Sequence, residues 1–187
     1  MYPFYALVSR LKYIDRWALM RNSERENVME HSYMVAVLAH ALGVIRRDVF
    51  KKDCSPESLA AFALFHDAPE IITGDMPTPV KYHDGNMISA YREIEKGAVK
   101  KLVGALPESM QGEYGKLLDG EKELVKAADK LSAYIKCLEE LKCGNDEFKS
   151  ASESTLGKLR AMEIPEIDYF LDNFIGAFTM TLDELRL

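Results

Sequence analysis

The chain has 187 residues, 48% of them hydrophobic and 29% charged, with 24 Lys+Arg against 30 Asp+Glu for a formal charge of −6. That length predicts one domain spanning 1–187, and 7 Pro with 11 Gly exclude a fibrous or disordered composition. The negative balance excludes a coat for a nucleic acid polymer, which needs a basic footprint to neutralise phosphates.

The opening Met-Tyr-Pro-Phe-Tyr-Ala lacks the basic and then apolar pattern of a signal peptide. After Pro3, Leu7, Leu11 and Ile14 stripe a first helix. A second runs from Val28 to about Val49, with Val35, Leu38 and Leu42 at core spacing. Its longest nearly apolar stretch, Tyr33 to Ile45, falls short of the about 20 residues of a membrane span, so a buried helix and no membrane partner are expected. Ser55-Pro56-Glu57 starts a third helix, with an N-cap Ser, Pro in the first turn and an acid beside it. Its apolar run ends at His66-Asp67. Two prolines mark Thr73 to Pro79 as an irregular loop. Helical patterns resume over about 86–106, 107–118 and 121–143, where Gly144 is a C-terminal stop, and again over about 146–162 and 165–178. The fold class is therefore all-α. Cys54, Cys137 and Cys143 cannot all pair within one chain. The last two lie on one predicted helix about 9 Å of rise apart, too far to bridge, so the expected location is the cytoplasm.

Chemistry concentrates in Glu30-His31-Ser32, in His66-Asp67-Ala68-Pro69-Glu70 and at Asp129. Two imidazoles and two carboxylates form an N₂O₂ set suited to Mn, Fe, Co, Ni or Zn rather than Ca or Mg. His66 and Asp67 diverge by about 100° on a regular helix, so they converge on one ion only at a helix end, which Pro69 supplies. Asp67-x-x-Glu70 is also a capping-box pattern, and the two readings coexist. Asp129 sits on the shoulder of the stripe Leu124, Ala128, Leu131, Ile135 and Leu138, where a carboxylate needs a cation or several donors. Lys130 points about 100° away. His40 falls on the helix face opposite His31, and His83 reads as turn chemistry.

These residues lie in blocks that resemble a known family. The His…His-Asp…Asp pattern on an all-helical chain is the signature of the HD superfamily of metal-dependent phosphohydrolases. Ile14 to Arg21, Glu26 to Ser32, Thr73 to Tyr82, Leu138 to Leu141, Asp168 to Phe170 and Leu182 to Glu184 further resemble the bacterial HD-domain 5′-deoxynucleotidases over nearly the whole chain. A short segment around Gln111 to Gly120 and Pro69 depart from the pattern, outside the ligand set.

The resemblance implies a compact HD-domain helical bundle with a metal site between helices, and hydrolysis of deoxyribonucleoside 5′-monophosphates to deoxynucleoside and phosphate. It implies His31, His66, Asp67 and Asp129 as ligands of one divalent transition-metal ion per chain, Co²⁺ or Mn²⁺ first, with Zn²⁺, Ni²⁺, Fe²⁺ and Cu²⁺ as alternatives. Glu70 is the implied catalytic carboxylate, with Asp75 second, and Arg16 orients the phosphate. Trp17, Asp75, Met76, Pro77, Thr78 and Lys81 shape the substrate pocket beside His31 and Asp129. Family members form homodimers. A metal-activated water is the nucleophile, and Glu70, one turn after the ligand pair, is placed to protonate the leaving 5′-oxygen. The competing readings are another HD activity, on a cyclic nucleotide or an alarmone, and a non-catalytic helical dimer that binds nucleotide. No run of basic residues in the sequence serves a second phosphate, and an intact ligand set with Glu70 present argues against a degenerate site.

Overall fold

In the computed structural model, which describes residues 1–81, 83–119 and 122–185, most of the chain is helical, with no strand among those residues. Helix α1 (Phe4–Val8) runs into a 3-10 segment, Ser9–Tyr13, and α2 (Val28–Val44) continues as a π-helical turn, Ile45–Val49. After α3 (Pro56–Phe65) come two single turns, α4 (Glu70–Thr73) and α5 (Thr78–Lys81). Three longer helices follow, α6 (Gly85–Gly104), α7 (Glu108–Leu118) and α8 (Glu123–Lys142). A 3-10 turn, Asp146–Phe148, leads into α9 (Lys149–Arg160), and α10 (Pro165–Asn173) is succeeded by the 3-10 segment Ile175–Thr179.

Local signals set the ends of the helices that carry the site. Asn27 accepts hydrogen bonds from the Met29 and Glu30 amides while the Glu30 carboxylate accepts from the Asn27 amide, a complete capping box for α2. Glu30 is thereby a structural acid. Ser55 caps α3 by accepting from the Ser58 amide, with Pro56 in the first turn. Gly74 and Gly144 take φ of +70° and +79° after α4 and α8, the left-handed conformation that glycine enters without a Cβ clash. Two expectations need correction. The Thr73–Pro79 stretch is not wholly irregular: Thr78 begins a helical turn, because Pro79 sits in its first turn, where the missing N–H costs nothing. Asp67 is not an N-cap: α4 follows Pro69 without a side-chain cap, and only the Asp67 carbonyl accepts the Glu70 amide, at 2.9 Å. The Asp67 carboxylate is left for other work.

Helix α2 lies at the centre, packed against α3 and α8, and α9 lies on α8. Val35, Leu38 and Leu42 of α2 join Leu124, Leu131 and Ile135 of α8 and Leu159 of α9 in one core, and Phe4, Leu102, Leu106 and Leu118 form a second. The Val28–Val49 stretch is long and apolar enough to cross a membrane by length and composition, yet 56% of its most apolar window is buried inside the protein. Close approach of α2 to α3 depends on Gly43. A Cβ there meets the Pro56 Cα at 2.9 Å and Leu59 Cδ1 at 3.1 Å. Alanine gains about 1 kcal/mol of helix propensity, and overpacking against backbone costs about 1–3 kcal/mol. Gly43→Ala is therefore expected to lower the unfolding free energy in a urea titration; a stabilised variant shows that the α2–α3 contact relaxes freely.

Candidate active site

The site forms where α3 stops. His66 and Asp67 occupy the turn between Phe65 and Glu70, and His66 Nε2 lies 3.1 Å from Asp67 Oδ2, so the adjacent pair does converge. His31 enters from the first turn of α2, with Nε2 3.0 Å from Asp129 Oδ1 of α8 and 3.6 Å from Asp67 Oδ2. One ligand atom each from His31, His66 and Asp129 lies within 4.8 Å of the others. The orientation of His66 is the decisive test of fit. Its Nδ1–H donates to the Ala63 carbonyl at 2.7 Å, and its buried Nε2, although 3.1 Å from Asp67 Oδ2, makes no aligned hydrogen bond. An imidazole held by its outer nitrogen, with the inner one free among carboxylates, is the arrangement of a metal ligand with its outer partner in place. His31 differs in that its Nε2 is hydrogen-bonded to Asp129 Oδ1 at 3.0 Å, while its Nδ1 lies 3.3 Å from Ser132 Oγ. The residues present fit a divalent ion.

Electrostatics agree with the geometry. Burial lowers the basicity of His66, but Asp67, Asp129 and the Ala63 carbonyl raise it to about 9. Burial and Arg16 act against His31, and its hydrogen bond to Asp129 and the Glu26 carboxylate, 3.8 Å from Nδ1, carry it upward overall. Burial also opposes ionisation of Asp67 and Asp129, yet the neighbouring imidazoles hold both carboxyls below their ordinary range. Glu70 differs. Burial, then Asp67 and Asp75, push it up to about 9 against Arg16 and Lys81, and its Oε2 is a second buried atom without a partner. One site thus holds ionised carboxylates beside a neutral acid in the metal-free protein.

Above this cluster opens a cavity of about 670 Å³. Arg16, Trp17, Asp67, Glu70, Asp75, Met76, Pro77, Lys81 and Asp129 line it, while His31 and His66 lie outside the lining. Thr78 starts α5, and its side chain, like Tyr82, lies outside the described residues. Arg16 pairs with neither Asp15 nor Glu30: its Nε donates to Glu26 Oε2 at 3.3 Å and its Nη1 lies 3.6 Å from Asp67 Oδ2. Trp17 Nε1 donates to the same Glu26 oxygen at 2.9 Å. Sequence reasoning missed Glu26, Ser132 and one face of α9, where Ala151, Ser154, Thr155 and Lys158 reach the cavity at helical spacing. It also turned Lys130 away, whereas Lys130 lines the cavity beside Asp129. Lys81, Lys130 and Lys158 thus meet on the cavity wall from three helices, a basic grouping that no local run displays.

The sequence profile of the YfbR-like 5′-deoxynucleotidases matches residues 3–178. The chain belongs to this family. The 5′-deoxynucleotidases of Yersinia pseudotuberculosis and Yersinia pestis are each 47% identical to it over 193 aligned positions, covering 100% of this chain and 98% of theirs. An HD-domain phosphohydrolase from Listeria innocua superposes with a TM-score of 0.81 at 24% identity, over 94% of this chain and 87% of its own. A cyanophage S-2L HD phosphohydrolase bound to dA and one catalytic Zn²⁺ ion does so with a TM-score of 0.63 at 19% identity, over 91% and 95%. These likenesses establish the HD-domain helical bundle.

The charge pattern of this YfbR-like family member has a consequence for stability. Glu70 and His66 carry folded-state pKa values of about 9, above the ordinary 4.5 and 6.5, so the metal-free folded chain binds extra protons. Their contribution is complete below the unfolded values and is lost as pH rises through about 9. Asp67 and Asp129, held low, contribute above about pH 4 and lose that contribution in acid. Thermal unfolding in chelator is expected to show Tm highest near pH 5 and falling toward pH 9. Saturating divalent ion flattens the decline, because it takes the place of the protons. A metal-free Tm that rises from pH 6 to 9 contradicts this arrangement.

Proposed function

We propose that the chain hydrolyses deoxyribonucleoside 5′-monophosphates to deoxynucleoside and phosphate, with one divalent ion held by His31, His66, Asp67 and Asp129. The observation that carries the reading is a pair of buried atoms without a hydrogen bond, His66 Nε2 among the carboxylates and Glu70 Oε2 in the cavity wall that Arg16 also lines. One asks for a cation and the other belongs to a neutral acid. Family membership over the full chain supports the substrate class.

When bound, a divalent ion supplies positive charge that acidifies a water and polarises the phosphoryl group. The chain's own residues do the rest. Arg16, fixed at Nε by Glu26, presents its terminal nitrogens toward the ligand cluster, a planar fork matched to two phosphate oxygens. Water attacks phosphorus, the P–O5′ bond breaks, and the sugar oxygen leaves as a strongly basic alkoxide that needs a proton. Glu70, its carboxyl pKa raised by burial to about 9 in the metal-free protein, donates that proton and is restored by the proton that the attacking water gives up. Asp75, also raised by burial, is the second candidate. Trp17, Met76 and Pro77 form the apolar wall against which a 2′-hydroxyl is unfavourable. Co²⁺ or Mn²⁺ is the proposed working ion, the cytoplasm the proposed location and a homodimer the proposed assembly, which sedimentation tests.

The deciding experiment strips the protein with chelator, restores Co²⁺ or Mn²⁺, and measures phosphate release from dAMP, AMP, cyclic AMP and ppGpp. Metal-dependent release from dAMP well above the other three is expected. Equal turnover of dAMP and AMP refutes the sugar discrimination, and turnover confined to cyclic AMP or ppGpp refutes the substrate class.

A further inference from the structure

Arg16 and Trp17 enter the cavity on a loop, residues 14–28, whose only regular pairing is at its base. There Asp15 bridges Asn27, the Arg16 amide donates to the Glu26 carbonyl at 2.8 Å and the Val28 amide to the Ile14 carbonyl at 3.0 Å. The rest of the loop needs another anchor, and Trp17 needs one most. Its φ of +57° is a left-handed conformation that a bulky residue holds only when its surroundings impose it.

The anchor lies at the C-terminal end of α8. Glu140, 2% exposed, accepts from the Ser23 amide at 2.8 Å through Oε2 and from the Glu24 amide at 3.3 Å through Oε1. Lys136 Nζ donates to Glu140 Oε1 at 2.5 Å and to the Glu24 carbonyl at 2.6 Å. Asn145 Nδ2 donates to Glu140 Oε2 at 2.8 Å and to the Arg21 carbonyl at 2.7 Å. Three side chains hold four backbone groups of the loop, and the Trp17 ring rests against Phe148, 5.4 Å between centroids, just beyond Asn145. None of Lys136, Glu140 or Asn145 lines the cavity. A buried Lys–Glu pair is a poor way to gain stability, since desolvation offsets most of its attraction. What it does provide is a single geometry, because every oxygen of Glu140 is committed to two donors.

We infer that Glu140, with Lys136 and Asn145, is a positioning cluster that sets the place of Arg16 and Trp17 in the cavity and thereby the strength of substrate phosphate binding. The inference rests on the role proposed above for Arg16. Its test is arranged to be read with or without that role, because Trp17 is the only tryptophan of the chain and its emission reports the loop directly.

Glu140→Gln keeps the shape but places an amide NH₂ against donors and leaves Lys136 buried without its counter-charge. Asn145→Ala removes only the two donors of Asn145 and serves if the first variant does not fold. Each is compared with wild type, metal-loaded, for dAMP kinetics, metal content and acrylamide quenching of Trp17. The expected result is a fall in kcat/KM of up to about 100-fold, carried mostly by KM, with metal content unchanged and Trp17 more quenchable. A folded variant with wild-type KM and wild-type quenching overturns the inference, and so does increased quenching with no change in KM. If wild type itself fails to hydrolyse dAMP, the proposed function falls, and quenching alone then decides whether the cluster holds the loop.

Discussion

Glu70→Gln is expected to lower kcat on dAMP by about 10²–10⁴-fold, the usual contribution of a positioned acid, while the protein keeps its metal. The substitution isolates the proton. In the metal-free protein burial, Asp67 and Asp75 keep Glu70 neutral up to about pH 9, so glutamine there replaces a neutral group by a neutral group of the same size. KM is expected to move little, because the proton is needed only as the P–O5′ bond breaks. The alkaline limb of the wild-type pH–rate profile, set by loss of that proton, is expected to vanish in the variant. A Glu70→Gln enzyme as fast as wild type removes Glu70 from the chemistry. If Asp75→Asn takes the large loss in its place, the proton comes from the Asp75 side of the cavity.

Which of these residues the sequence reveals follows from how far apart the partners are. His66 and Asp67 are legible because a two-residue motif beside a proline implies a helix end, and the helix end makes adjacent side chains converge. Asp129 is legible because an acid on the shoulder of an apolar stripe is costly without a partner, and the structure supplies His31 at 3.0 Å. Ser55, Gly74 and Gly144 act as their local chemistry predicts. The face of α9 is different. Ala151, Ser154, Thr155 and Lys158 look like the solvent side of any amphipathic helix, and only the packing of α9 on α8 turns them toward the cavity. Lys130 was misplaced for a related reason. A difference of 100° on a helix separates core from solvent, but here both Asp129 and its neighbour face one wide cavity. Glu26 and Glu140 show the remaining gap. Both lie in stretches that resemble the family, yet nothing local distinguishes an acid that holds a loop in place from one that faces water. The role of Glu26 appears when the loop folds back to bring Arg16 and Trp17 onto it, and that of Glu140 when Ser23, more than a hundred positions away, is brought to 2.8 Å.

His66→Ala is expected to remove both the metal and the activity, which separates it from Glu70→Gln. With a proposed ligand removed outright, its affinity for the ion is expected to fall by more than the roughly 10–100-fold that removal of an outer partner costs. Two carboxylates and His31 are left to share the site without the imidazole whose outer nitrogen the Ala63 carbonyl holds at 2.7 Å. Stability reports this independently of turnover. In wild type, an ion present at about 100 times its Kd stabilises the fold by about 2.7 kcal/mol, or about 5–11 °C in Tm for a domain of this size. In His66→Ala the difference in Tm between chelator and metal is expected to shrink toward zero, because the ion no longer distinguishes folded from unfolded chain. Metal analysis after gel filtration reads the same loss as stoichiometry. If His66→Ala keeps one ion per chain and the full metal-dependent rise in Tm, the ion sits elsewhere and the unpartnered Nε2 is not its ligand. The fall in kcat must then come from some other work of the imidazole, such as a hydrogen bond to the substrate phosphate.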